Sequence, residues 1–143
     1  MSQETYALPT VRERLPTSPF MIAVLGGDLL VLFAFIATGQ YAHDYYFWQL
    51  PAHTIMVMLP FVIAWFVVAP VTGLFSVDYM QSYTLTVALV VVAWIAASLL
   101  GGLIRATEYF PGGIQADFVL ANVVFGILFF VPWRLLVSWR LRS

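Results

Sequence analysis

Long unbroken apolar runs, not a two- or four-residue alternation, set the pattern of this chain. Four stretches, 20–40, 53–75, 83–104 and 117–139, are almost purely hydrophobic. A hydrocarbon core about 30 Å thick is crossed by roughly 20 apolar residues in helical form, so each stretch predicts one transmembrane helix. The second and third contain no charge, the first contains Asp28, and the fourth contains Arg134. The connection 41–52 is aromatic and polar, 76–82 is short and polar, and 105–116 carries the turn signal Pro111-Gly112-Gly113. Residues 1–19 are polar and hold Pro9, Pro16 and Pro19, which reads as a disordered arm leading into the first helix. The expected fold is an all-α integral membrane protein, with residues 20–143 forming four transmembrane helices in an up-and-down bundle.

Charge adds an orientation. Four passes return the chain to the side on which it started. Arg12, Arg14, Arg140 and Arg142 flank that side, Arg134 lies near it, and Arg105 stands alone on the other. The positive-inside rule then predicts cytoplasmic termini, with 41–52 and 105–116 outside and 76–82 inside. The first apolar run is longer than the core of a signal peptide and three more follow, so it is expected to remain as a helix.

Composition excludes whole classes of function. Of 143 residues, 62% are hydrophobic and only 9% charged, against roughly a quarter charged in an ordinary soluble domain. A domain of this size leaves much of its area exposed, so a water-soluble enzyme is ruled out. There is no cysteine, which removes disulfides, thiolate metal sites and cysteine nucleophiles. All six basic residues are arginine, which removes lysine Schiff-base chemistry. A net charge of −1 offers no footprint for nucleic acid.

Helices in lipid associate through close backbone approach and polar contacts. Ala93, Ala97 and Gly101 form a small-residue ladder on the third span. It predicts a tight helix crossing, and a surface for self-association or for packing into a larger membrane complex. Pro60, Pro70 and Pro132 predict bends in the second and fourth spans.

Several local patterns occur together: Gly27-Asp28 in the first span, Pro60 to Trp65 in the second, Gly101 to Arg105 closing the third, and Phe118 and Trp133-Arg134 bounding the fourth. With these the chain resembles a prokaryotic family of short four-helix membrane proteins, the domain-of-unknown-function family 3054. The likeness spans about Phe20 to Arg134. It implies a four-helix fold, this orientation and the prokaryotic cytoplasmic membrane, but no activity and no functional residues.

Polar groups inside the spans are the candidates for function. Asp28 and Arg134 sit at similar depth from the cytoplasmic side, on helices that neighbour each other in an up-and-down bundle. They read either as a buried ion pair that fixes helix register or as a proton or cation site at Asp28. A second cluster lies at the outer side: Arg105, Glu108, Asp117, Asn122 and His53, with Thr38, Gln40, His43, Asp44 and Thr54 at similar depth. It reads as a solvated rim with a salt bridge such as Arg105–Asp117, or as a funnel binding a small anion. His43 and His53 are poorly placed for a haem or metal held between helices, so no metal or cofactor is expected. Catalytic motifs such as HExxH and GxSxG do not occur, so no enzyme is expected. The leading reading is a non-catalytic helical module that self-associates or packs into a membrane complex. The alternative is an oligomeric small-solute or ion transporter or channel using Asp28 or Arg105.

Overall fold

The computed structural model describes residues 8–110 and 112–143, all of them in helices or the turns that join them. A single helical turn, α1 (Val11–Arg14), precedes the first long helix, α2 (Pro19–Tyr41). Two more long helices follow, α3 (Pro51–Thr72) and α5 (Tyr83–Arg105), with the short α4 (Val77–Met80) between them. The last helix, α6 (Ala116–Arg142), closes the bundle. The four long helices are long and apolar enough to cross a membrane.

Helix starts follow local chemistry. Ser18 accepts from the Met21 N–H and Pro19 occupies the first turn of α2, while Ser82 accepts from Leu85 N–H at the start of α5. The turn α1 departs from the disordered arm expected over 1–19, of which 1–7 lie outside the described residues. Thr10 and Glu13 form a reciprocal capping box, and Arg14 donates to the carbonyls of Pro9 (3.1 Å) and Val71 (2.9 Å). Those bonds tie the segment to the end of α3.

The connection between α3 and α5 also differs from a short polar loop. Gly73 takes φ +82° and ends α3 three residues before the expected Phe75, in a Schellman-type turn with Leu74 N–H donating to Ala69 O. The reversed chain folds Leu74, Phe75, Ser76 and Met80 into the bundle, each buried. At the other end, Gly112 and Gly113 both have positive φ, as the turn signal there requires; Pro111, the remaining member of that signal, lies outside the described residues.

Burial runs opposite to a soluble bundle. Asp28, Arg134, Asn122, Ser98, Thr86 and Ser138 are buried, while Leu30, Leu103, Leu120 and Leu128 rank among the most exposed side chains. The interior polar side chains just named bond one another or a backbone carbonyl, and the outer surface matches acyl chains. Trp65, Trp94, Phe61 and Phe130 fill the middle of the bundle with no exposure, Trp65–Phe130 and Trp94–Phe130 lying 4.7 and 4.8 Å apart between ring centroids. Glycine makes room for them. A β-carbon at Gly126 would collide with the Trp94 indole, and one at Gly101 with the Phe61 ring. Because Gly126 lies flat under it, the Trp94 indole N–H reaches the Asn122 carbonyl at 3.0 Å.

This arrangement corrects one expectation. Ala93, Ala97 and Gly101 do form a tight crossing, but all three are buried inside a single chain. The ladder is spent on packing Phe61 and its neighbours, so these three residues are not themselves a surface for association.

Candidate functional site

Two polar sites lie at opposite ends of the bundle, separated by the aromatic layer. The first is at the end that holds α1 and the last turn of α6, about 14 Å along α2 from Pro19 at 1.5 Å per residue. Arg134 Nε donates to Asp28 Oδ1 at 2.9 Å and Nη2 donates to Oδ2 at 2.6 Å, a bidentate pair with neither side chain exposed. Two tryptophans complete the carboxylate. Trp65 of α3 donates its indole N–H to Oδ2 at 3.0 Å, and Trp133 of α6 donates to Oδ1 at 2.9 Å. An ionised carboxylate offers about four lone-pair sites, and four donors occupy them. The backbone permits this because Gly27 leaves room for the Trp133 ring, with which any β-carbon would collide.

The remaining arginine nitrogen reaches across to the α3–α5 connection. Nη1 donates to the Leu74 carbonyl at 2.7 Å and approaches Met80 Sδ at 3.6 Å, and the guanidinium lies 5.2 Å from the centre of the Phe75 ring. Ser138, one turn on from Arg134, donates to the Met80 carbonyl. The site thus joins α2, α3 and α6 to the folded-in connection. Nothing in the sequence distinguished Trp65 and Trp133 as donors.

The second site is at the loop end. A cavity of about 730 Å³ opens between α2 and α6 and extends to α3 and α5. Its apolar wall includes Phe35, Phe125 and Phe129; its polar wall includes Gln40, Asn122, Arg105, His43 and His53. Gln40 Oε1 accepts from the Thr54 hydroxyl at 2.6 Å and Asn122 Nδ2 donates to Ser98 Oγ at 2.9 Å. The opposite atoms of both amides, Gln40 Nε2 and Asn122 Oδ1, are buried without a partner among the described residues, as are Nε and Nη1 of Arg105.

The structure divides the candidates at this end. Arg105, Asn122 and His53 line one cavity, whereas Glu108 and Asp117 are exposed and stand outside it. The Arg105–Asp117 salt bridge expected of a solvated rim is not formed among the described residues, whose one ion pair is Asp28–Arg134. The Arg105 guanidinium lies instead 4.0 Å over the Phe118 ring, one residue along, and close beside Gly112. His53 stacks on Tyr45 at 5.2 Å. Among the described residues no three His, Cys, Asp or Glu side chains converge as a metal site would need.

Comparison with curated proteins found no match, and neither did comparison with solved structures. The family described as proteins of unknown function, DUF3054, matches residues 25–137, a range that holds Asp28, Trp65, Arg105 and Arg134. This multi-pass membrane chain belongs to the DUF3054 family.

Proposed function

We propose that the protein is a non-catalytic, non-conducting helical module of the prokaryotic cytoplasmic membrane. Its termini lie in the cytoplasm, and the half nearer them is locked by Asp28 and Arg134. The observation that carries this reading is the saturation of Asp28: all of its lone-pair sites are taken by Arg134, Trp65 and Trp133. A proton or cation carried through Asp28 would have to displace those donors in a site closed to water. Displacing them also breaks the buried ion pair, and removing one partner of such a pair costs about 3–5 kcal/mol. The aromatic layer of Trp65, Trp94, Phe61 and Phe130 supports the same reading, because it interrupts any polar route between the two ends within one chain. Arg14 and Arg142, each donating to a carbonyl near the α3–α5 connection, together with Arg12 and Arg140 support cytoplasmic termini.

The test is flux. In proteoliposomes under an imposed proton or sodium gradient, the protein is expected to add no flux above lipid alone. Flux that appears with the protein and disappears in Asp28→Asn, while the fold is retained, would contradict the proposal and establish Asp28 as an ion site.

A further inference from the structure

We infer that the loop-end cavity is a binding site for a membrane amphiphile whose anionic headgroup also carries a hydroxyl. The inference starts from the unpartnered atoms. Gln40 and Asn122 are both more than nine-tenths buried, each holds one amide atom by a hydrogen bond to a neighbour, and each leaves the other without a partner. Buried polar atoms are nearly always bonded in native proteins, so two such amides beside a half-buried arginine in one cavity wall form a set that needs an occupant.

Their chemistry describes that occupant. Arg105 Nε, Arg105 Nη1 and Gln40 Nε2 are donors, and Asn122 Oδ1 is an acceptor. Three donors, two of them on a cation, call for an oxyanion. The single acceptor calls for one O–H or N–H on the same headgroup. Among the described residues no carboxylate competes: Arg105 makes no ion pair, and neither Glu108 nor Asp117 lines the cavity.

The route of access selects an amphiphile over a free anion. The polar atoms cluster near the loop ends of α2, α5 and α6, whereas Phe35, Phe125 and Phe129 line the part of the cavity deeper along the helices. Phe125 and Ala121 of α6 and Gly39 of α2 are exposed, so the opening between α2 and α6 meets the acyl chains. A β-carbon at Gly39 would meet no atom within 4 Å beyond its own stretch of helix. A headgroup near the interface with a chain running inward past the phenylalanines matches that order of polar and apolar wall.

The experiment is native mass spectrometry of the full chain in mild detergent, titrated with phosphatidylglycerol or phosphatidylcholine. Phosphatidylglycerol supplies the phosphate and the hydroxyls; phosphatidylcholine has a phosphate but no hydroxyl and no net charge. The wild type is expected to retain one phosphatidylglycerol with about tenfold preference. Arg105→Gln should abolish that preference, and so should Gly39→Leu, which fills open space and leaves the packed interior alone. Arg140→Gln, an exposed arginine at the other end, should keep it. Loss of the preference in Arg140→Gln but not in Arg105→Gln, or equal retention of both lipids by the wild type, would overturn the inference. Displacement of the bound lipid by millimolar inorganic phosphate would also overturn it, by showing a free-anion site.

Discussion

At the terminal end of the bundle, the buried ion pair leaves no side-chain nitrogen or oxygen without a partner. At the loop end, four such atoms on Gln40, Arg105 and Asn122 have none among the described residues. Each of the two sites centres on an arginine beside an aromatic ring, so arginine alone does not distinguish them. The difference lies in what the neighbouring helices supply. Around Arg134 they bring a carboxylate, two indoles and a carbonyl released by the turn at Gly73. Around Arg105 they bring the Phe118 ring and a cavity. In a bilayer, where unmade polar bonds are not repaired by water, the first pattern locks a structure and the second leaves it incomplete.

The comparison is open to attack by mutation, beginning with the ion pair. Arg134→Gln or Asp28→Asn alone should destabilise the protein by about 3–5 kcal/mol, because each strands its buried partner; thermal unfolding in nanodiscs would show it, or loss of folded protein on expression. Trp65→Phe keeps most of the ring packing and removes one bond to a charged acceptor, an expected loss of about 1.5–3 kcal/mol by the same measurement. Gly101→Leu forces a side chain into the Phe61 ring and should cost about 1–3 kcal/mol, while Val92→Leu on the exposed face should leave the unfolding temperature unchanged. Smallest of all, Arg105→Gln should change stability without added lipid by less than about 1 kcal/mol, the scale of one cation–π contact. A loss at Arg105 equal to that at Arg134 would erase the distinction between the two ends.

Much of the terminal end was legible in the sequence. Run length located the four spans, and depth brought Asp28 and Arg134 to one level. The tryptophan donors were not legible, because an indole near a helix end reads as an interfacial anchor until the direction of its N–H is known. The folded-in connection has a signal in the sequence: Gly73 is a helix-stop residue, and Leu74-Phe75 after it continue the apolar run. At the loop end, depth gathered Arg105, Glu108, Asp117, Asn122 and His53 together. Depth carries no information about which way a side chain faces, and facing is what sends Glu108 and Asp117 to solvent. The small-residue ladder had the same weakness. Its spacing revealed a close crossing but not whether the large partner, Phe61, belonged to the same chain.

Asp28 and Arg134 act as one structural unit, and the decisive experiment is a double-mutant cycle on thermal stability in nanodiscs. Asp28→Asn, Arg134→Gln and the double variant are compared with the wild type. The double variant strands no charge, so it should recover much of the loss seen in either single variant and reveal a coupling energy of several kcal/mol. Additive losses, with no coupling between the two positions, would contradict the claim.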